Sequence, residues 1–167
     1  MWSEILAKFA QFPAQERVAQ VLLERGLQVS EAGGVFMEGI RIPNTEIAKQ
    51  AKVDRRAVDQ ATATILSDQM LADFFLNLKT FVFLRDVAPI LKLGVIVITP
   101  RDAAQVGVIE EVTQAIADCN IRIRQAVTDD PYFIDDPKLT LICDVKIPGS
   151  LVDKLLQLGS VKGVSVY

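Results

Sequence analysis

The sequence predicts an α+β protein: a mostly helical, helix-turn-helix-like N-terminal domain followed by a ferredoxin-like βαββαβ domain. Three observations carry this. Residues 93–167 read as strand, helix, strand, strand, helix, strand, the order of a split β-α-β unit. Residues 44–67 read as two short helices joined by a tight turn. No Gly/Ser-rich spacer separates the halves, so they are expected to be joined stiffly. The boundary falls between Leu84 and Leu93, giving domains 1–88 and 89–167.

In the first domain Ile5, Leu6, Phe9 and Phe12 make one apolar stripe. Pro13 opens a second helix at a position where its missing N–H costs nothing. That helix places Val18, Val21 and Leu22 on one face and stops at Arg25-Gly26, a glycine C-cap preceded by a cation. A hairpin or extended connection follows, turning at Gly33-Gly34 with Val35, Met37, Ile40 and Ile42 around it. Pro43-Asn44-Thr45 starts a helix that buries Ile47, Ala48 and Ala51. Asp54 caps the next helix, whose Val58, Ala61 and Ile65 repeat at helical spacing while Arg55, Arg56, Asp59 and Gln60 face away. Leu71 to Leu84 is strongly apolar and is expected to be helical throughout.

Val95 to Ile98, in the second domain, is apolar on both faces, as in a central strand. Helices cover only one face of such a sheet, so the other face or the sheet edge is expected to be buried by a second copy of the chain. Helix 106–119 buries Val108, Ile109, Val112 and Ile116. Strand 121–128 sets Ile121 and Ile123 against Arg122 and Arg124. Strand 139–147 alternates, with Leu139, Leu141, Cys143, Val145 and Ile147 on the core side. Pro148-Gly149-Ser150 opens a last helix carrying Leu151, Val152, Leu155 and Leu158, and residues 161–167 end as a strand.

Composition narrows the function. The chain has 167 residues, half of them apolar, and a formal charge of −3, so any nucleic-acid contact must come from a local patch. The two cysteines, Cys119 and Cys143, occupy ordinary buried-thiol positions, and there is no histidine. No Cys/His cluster, phosphate-binding glycine loop or nucleotide fingerprint is present, which disfavours hydrolase, metalloenzyme and nucleotide-dependent readings. The paired acids of Asp129-Asp130-Pro131 and Asp135-Asp136-Pro137 lack calcium-loop spacing and read as turn chemistry. No enzyme activity, cofactor, metal or catalytic residue is expected. The charged start Met1-Trp2-Ser3-Glu4 argues against a signal peptide, and the longest apolar run, Leu93 to Ile98, is too short for a bilayer. A cytoplasmic protein with no membrane contact is the expectation.

The helix-turn-helix logic rests on Ala48, whose small side chain lets two helices cross closely, on Val53 plugging the turn, and on the Asp54 cap. Arg55 and Arg56 then stand at the start of a recognition helix, with Gln60 one turn on and Thr45 and Lys52 in support. These five residues are the candidate DNA contacts. Against DNA, residues 1–90 hold 10 Lys+Arg and 11 Asp+Glu, so this half is near neutral.

Gly107-Val108-Ile109 opening the first helix, Asn120-Ile121-Arg122-Ile123 entering the second strand, and Ile147-Pro148-Gly149 opening the second helix resemble an ACT domain, a small-ligand regulatory module. The whole chain, with Arg124 to Pro131 adding to the likeness, resembles the archaeal family of predicted regulators of amino-acid metabolism. The resemblance implies an amino acid bound between two subunits, held by Asp102, Gln105, Val106, Gly107, Val108 and Ile109 and by the partner's second strand, here Asn120, Ile121, Arg122 and Arg124. Free N–H groups at the helix start suit a carboxylate, and Arg122 could grip one bidentately. The implied function is amino-acid-responsive control, exerted either on transcription or by docking on an amino-acid biosynthetic enzyme. The implied partners are an amino acid, a second copy of the chain, and DNA or that enzyme.

Overall fold

The structure, a computed structural model, describes residues 2–131 and 134–167. The chain divides into two compact units, Met1–Val82 and Phe83–Tyr167. None of the described helices is long and apolar enough to cross a membrane.

The first unit runs α1 (Trp2–Ala7), α2 (Pro13–Glu24), β1 (Gln28–Val29), β2 (Val35–Met37), β3 (Ile40–Ile42), α3 (Asn44–Ala51), α4 (Arg55–Ser67) and α5 (Gln69–Asn77). The three strands form an antiparallel sheet in the order β1-β2-β3. Pro13 is the first residue of α2, and the helix stops as the sequence requires. Gly26 N–H donates to Leu23 O (3.0 Å) and Leu27 N–H to Leu22 O (2.7 Å), with Gly26 at φ +62. This is a Schellman cap. A Cβ at Gly26 would stand 2.9 Å from Lys79 O, so the site demands glycine twice over. Ile5, Phe9, Val18, Leu22, Val58 and Ile65 form the centre of the core.

Two expectations fail here. Phe12 is exposed because α1 ends at Ala7 and the stripe loses its helical phase, and Leu6, beside the buried Ile5 within α1, is only half-buried. The apolar run after Leu71 is helical only to Asn77. Thr80 Oγ1 donates to Arg25 O (2.9 Å) and Gly26 O (3.0 Å), drawing residues 78–80 back onto the end of α2. Thr80, Phe81, Val82 and Phe83 are also weak helix formers, so a distant tertiary bond outweighs a small propensity.

The second unit runs β4 (Gly94–Pro100), α6 (Val108–Ala117), β5 (Ile123–Thr128), β6 (Leu139–Cys143), α7 (Gly149–Leu156) and β7 (Val161–Val166). Its strands lie in the order β5-β6-β4-β7, every neighbouring pair antiparallel. Ile96 and Ile98 of β4 and Leu139, Leu141 and Cys143 of β6 pack on one face with Val112 and Ile116 of α6 and Leu151 and Leu155 of α7.

Val95, Val97 and Ile142 point to the other face, where Leu84, Ala88 and Leu93 of the same chain lie against them. Leu84 N–H donates to Gln125 Oε1 (3.0 Å), and the Arg85 guanidinium sits 5.3 Å from the centre of the Tyr167 ring. Of the two surfaces that the sequence offers to a second copy, the sheet face is therefore covered in part by the preceding strap. This also places Leu84 and Ala88 with the second unit.

Three side chains depart from expectation. α6 starts at Val108 and buries Val108, Val112, Ala115 and Ile116, which leaves Ile109 exposed. β6 ends at Cys143, so Val145 lies beyond the strand and is exposed. Cys119, two residues past the end of α6, is exposed, whereas Cys143 is buried.

Candidate functional site

The loop between β4 and α6 builds the first site. Asp102 Oδ1 accepts from Ala104 N–H (2.9 Å), and Gln105 N–H donates to Asp102 O (3.3 Å), a local Asx turn that fixes the approach to the helix. Gly107 then reverses the chain at φ +94, with open space where a Cβ would stand. Its requirement is conformational, not steric. No side chain caps α6, so its leading N–H groups remain available, and the positive end of the helix dipole lies with them.

This helix start opens onto a groove of about 910 Å³. One wall is 103–110. The other is Thr128 to Pro131 with Pro137 to Leu139, brought together because Thr128 of β5 pairs with Leu139 of β6. Asp129 Oδ2 accepts the Lys138 N–H (3.0 Å), and Asp129 N–H donates to Lys138 O (2.9 Å), closing the end of that ladder. Lys138 Nζ turns away to Thr99 Oγ1 (3.0 Å) and Asp136, whose carboxyl it holds below its ordinary range. Asp129 and Asp130 thus put carboxylates on the second wall, while the start of α6 offers N–H donors with Glu110 beside them. One side favours a cation and the other an anion.

Among the expected ligand residues, Gln105, Val106, Gly107, Val108 and Ile109 line this groove. Asp102 lines a neighbouring hollow of about 440 Å³ with Arg101 and Lys162. Val106, 96% exposed, stands at the mouth with no apolar cover. Asn120, Ile121, Arg122 and Arg124 line neither cavity. They follow the far end of α6, roughly 15 Å along the helix axis from its start. Asn120 adopts φ +55, and Arg124 sits at a register shift between Ile123 and Gln125 in the β5–β6 ladder. Arg122 Nε bonds Asp144 Oδ2 (2.9 Å). Within one chain these four residues do not meet the helix start. The second wall of the groove escaped sequence reasoning because Asp-Pro pairs read equally well as turns. No group of three His, Cys, Asp or Glu among the described residues could hold a metal.

The first unit contains a second, separate arrangement. α3 ends at Lys52, which takes a left-handed conformation (φ +53), and Val53 N–H donates to Ala48 O (3.0 Å). Asp54 Oδ1 accepts from Arg56 N–H (2.8 Å), capping α4. Ala48 and Ala51 are buried with Val58 and Ala61, so small side chains let α3 and α4 approach closely. Thr45, Lys52, Arg55, Arg56 and Gln60 are all exposed. Thr45 and Arg55 share a groove of about 550 Å³ with Arg41, a β3 residue that the hairpin pattern did not single out. Lys52, Arg56 and Gln60 lie outside it. Asn44 Nδ2 donates to Asp59 Oδ1 (2.6 Å), tying the start of α3 to α4.

No protein-family model matches the chain, and no curated protein matches it. Among solved structures, it is similar to the ACT domain from the GTP pyrophosphokinase of Chlorobium tepidum, at 25% identity. That match covers 45% of this chain and 96% of the other, with a TM-score of 0.36. It is also similar to a structure of MtbAldR, at 12% identity over 92% of this chain and 90% of the other, with a TM-score of 0.27.

Proposed function

We propose that this chain is a non-catalytic, cytoplasmic, amino-acid-responsive regulator whose second unit is a ferredoxin-like ACT domain and whose first unit is a helix-turn-helix module. The observation that carries this reading is the groove before α6. Helix N–H donors and a carboxylate-bearing wall face one space, and a free amino acid carries a carboxylate and an ammonium group. The strand order β5-β6-β4-β7 and the motifs at Gly107, Asn120 and Pro148 support the same assignment.

In this reading the ligand is enclosed by two copies. Asp102 and Gln105 to Ile109 come from one copy, and Asn120, Ile121, Arg122 and Arg124 from its partner, since a single chain holds these groups apart. Binding then biases the dimer, and a coupling of about 1–3 kcal/mol alters DNA affinity roughly 5- to 150-fold. Thr45, Lys52, Arg55, Arg56 and Gln60 contact the DNA.

A thermal-shift screen of the full chain against the standard amino acids tests the ligand, because one that binds only the folded state must raise Tm. Sedimentation with and without the responding amino acid tests the dimer. If no amino acid raises Tm, and the chain sediments as a monomer at micromolar concentration, the reading fails.

A second reading, docking on an amino-acid biosynthetic enzyme, is favoured by one observation. Asp59 lies 4.0 Å from Arg55 and bonds Asn44, which blunts the positive charge of the α4 start. Co-purification with such an enzyme, together with no salt-sensitive binding to upstream DNA, would select it.

A further inference from the structure

We propose that the groove between β3 and the starts of α3 and α4 is a phosphodiester site, with Arg41 as its principal ligand. This deepens the DNA reading and rests on it. The Arg41 side chain is exposed and makes no hydrogen bond or ion pair among the described residues, yet it lines the groove together with Arg55. Among the described residues the Arg55 side chain has only the 4.0 Å approach to Asp59. Thr45 adds an exposed hydroxyl. Pro43 precedes α3 and provides no side-chain cap, so the first N–H groups of α3 are left for a ligand.

The opposite rim is backbone. Ser30 N–H donates to Gly34 O (2.8 Å), Gly33 N–H to Ser30 O (2.8 Å) and Gly34 N–H to Ser30 Oγ (3.1 Å), which holds the loop in one shape. A Cβ at Gly34 would stand 2.9 Å from the Phe36 ring, so Gly34 stays bare and the rim carries no side chain larger than the Ala32 methyl.

Charge selects the ligand class. Two guanidinium groups against the single Asp59 carboxylate leave the groove at about +1, which a phosphodiester with one negative charge neutralises. A phosphomonoester carries about −1.5 to −2 near neutral pH and would be left in excess. The site therefore fits the backbone of a nucleic acid better than a phosphorylated metabolite. It also adds a cation from the β2–β3 hairpin to those of α4.

The test is fluorescence anisotropy of the full chain with a duplex of its upstream DNA across a salt series, for wild type, Arg41→Ala and, as a charge control in the other unit, Arg101→Ala. Arg41→Ala is expected to weaken binding roughly fivefold to tenfold at 0.1 M salt and to reduce the slope of log K against log salt by about 0.9, the contribution of one phosphate. Arg101→Ala should change neither. An unchanged slope in Arg41→Ala, with wild type binding normally, overturns the site and leaves the DNA reading standing. If wild type binds no duplex, titration with dimethyl phosphate, a phosphodiester with one negative charge, decides, read by NMR. Movement of the Thr45 amide and of the Arg41 and Arg55 Nε signals keeps a phosphate site and discards DNA. No movement overturns the site as well.

Discussion

Arg122 and Asp144 are joined twice: Arg122 Nε donates to Asp144 Oδ2 at 2.9 Å, and Asp144 N–H donates to the Arg122 carbonyl at 3.0 Å. The backbone bond continues the β5–β6 ladder past its last strand residue, and the side-chain bond fixes where the guanidinium begins. Yet the Arg122 side chain is 88% exposed. An ion pair so exposed contributes about 0–1 kcal/mol, so its position matters more than its energy. The pair holds an accessible guanidinium at the edge strand, where a second copy could present it to a ligand carboxylate.

Replacing Arg122 by Ala should therefore lower the unliganded Tm by no more than about 2–4 °C, the shift expected for 1 kcal/mol in a chain of this size. It should also remove most of the amino-acid-induced rise in Tm. Asp144→Asn breaks the same ion pair but leaves the guanidinium, and should keep that rise. If the two variants respond alike, Arg122 serves the ladder and not the ligand.

Gly107 gives a prediction of the opposite kind. Its surroundings have room for a methyl group, but its backbone lies at φ +94, where other residues are strained. Gly107→Ala should destabilise the chain by about 1–3 kcal/mol in urea unfolding, with a weaker ligand response because the helix start is displaced. Val106→Ala, at a fully solvated side chain, should leave unfolding unchanged. A stable Gly107→Ala variant with normal ligand response would separate the helix start from the site.

How far the sequence reaches is visible in these same elements. The Asp54 cap, the Gly26 stop and the two-faced strand β4 are local patterns, and each stands where its residues put it. What was not legible depends on partners far along the chain. α5 stops because Thr80 finds the carbonyls of Arg25 and Gly26. The groove acquires its acidic wall because Thr128 registers with Leu139, and Arg41 faces its groove because the hairpin pairs it with Phe36. Ile109 looked buried because a helix face is wide enough to admit it. Only the packing of Val112 and Ile116 on the sheet decides which neighbour turns outward. The strap over the second sheet face was missed because Leu84, Ala88 and Leu93 follow no regular period.

The two thiols should react very differently. Cys119 is exposed, while Cys143 is buried in β6, where burial and then the neighbouring Asp144 charge push its thiol up to about 11. The thiolate is the reacting species, so Cys143 is protected both by access and by protonation. Native protein at pH 8 should titrate one thiol rapidly with a disulfide reagent, and a second only after denaturation. Cys119→Ser should abolish the fast phase. A fast phase that survives this change would mean that β6 opens on the timescale of the assay.

Acid should loosen the first unit through Asp68. Its Oδ1 accepts the Leu71 N–H (3.1 Å) at the start of α5, and its Oδ2 accepts from the Lys8 ammonium, which lies beyond α1. These bonds, the Lys8 one foremost, hold the Asp68 carboxyl below its ordinary value of 3.8. The folded state thus binds this proton less readily than the unfolded chain. The resulting stability is present above the unfolded pKa and is lost as pH falls through the folded one. Asp68→Asn keeps an acceptor for the cap but loses the charge. Its urea midpoint should lie below that of wild type at pH 7, and the two should converge as pH falls below about 4. Lys8→Met should show the same convergence from a smaller difference, since the Leu71 bond survives it. A gap that stays constant down to pH 2 would mean that the Asp68 charge contributes nothing to holding α1 and α5 together.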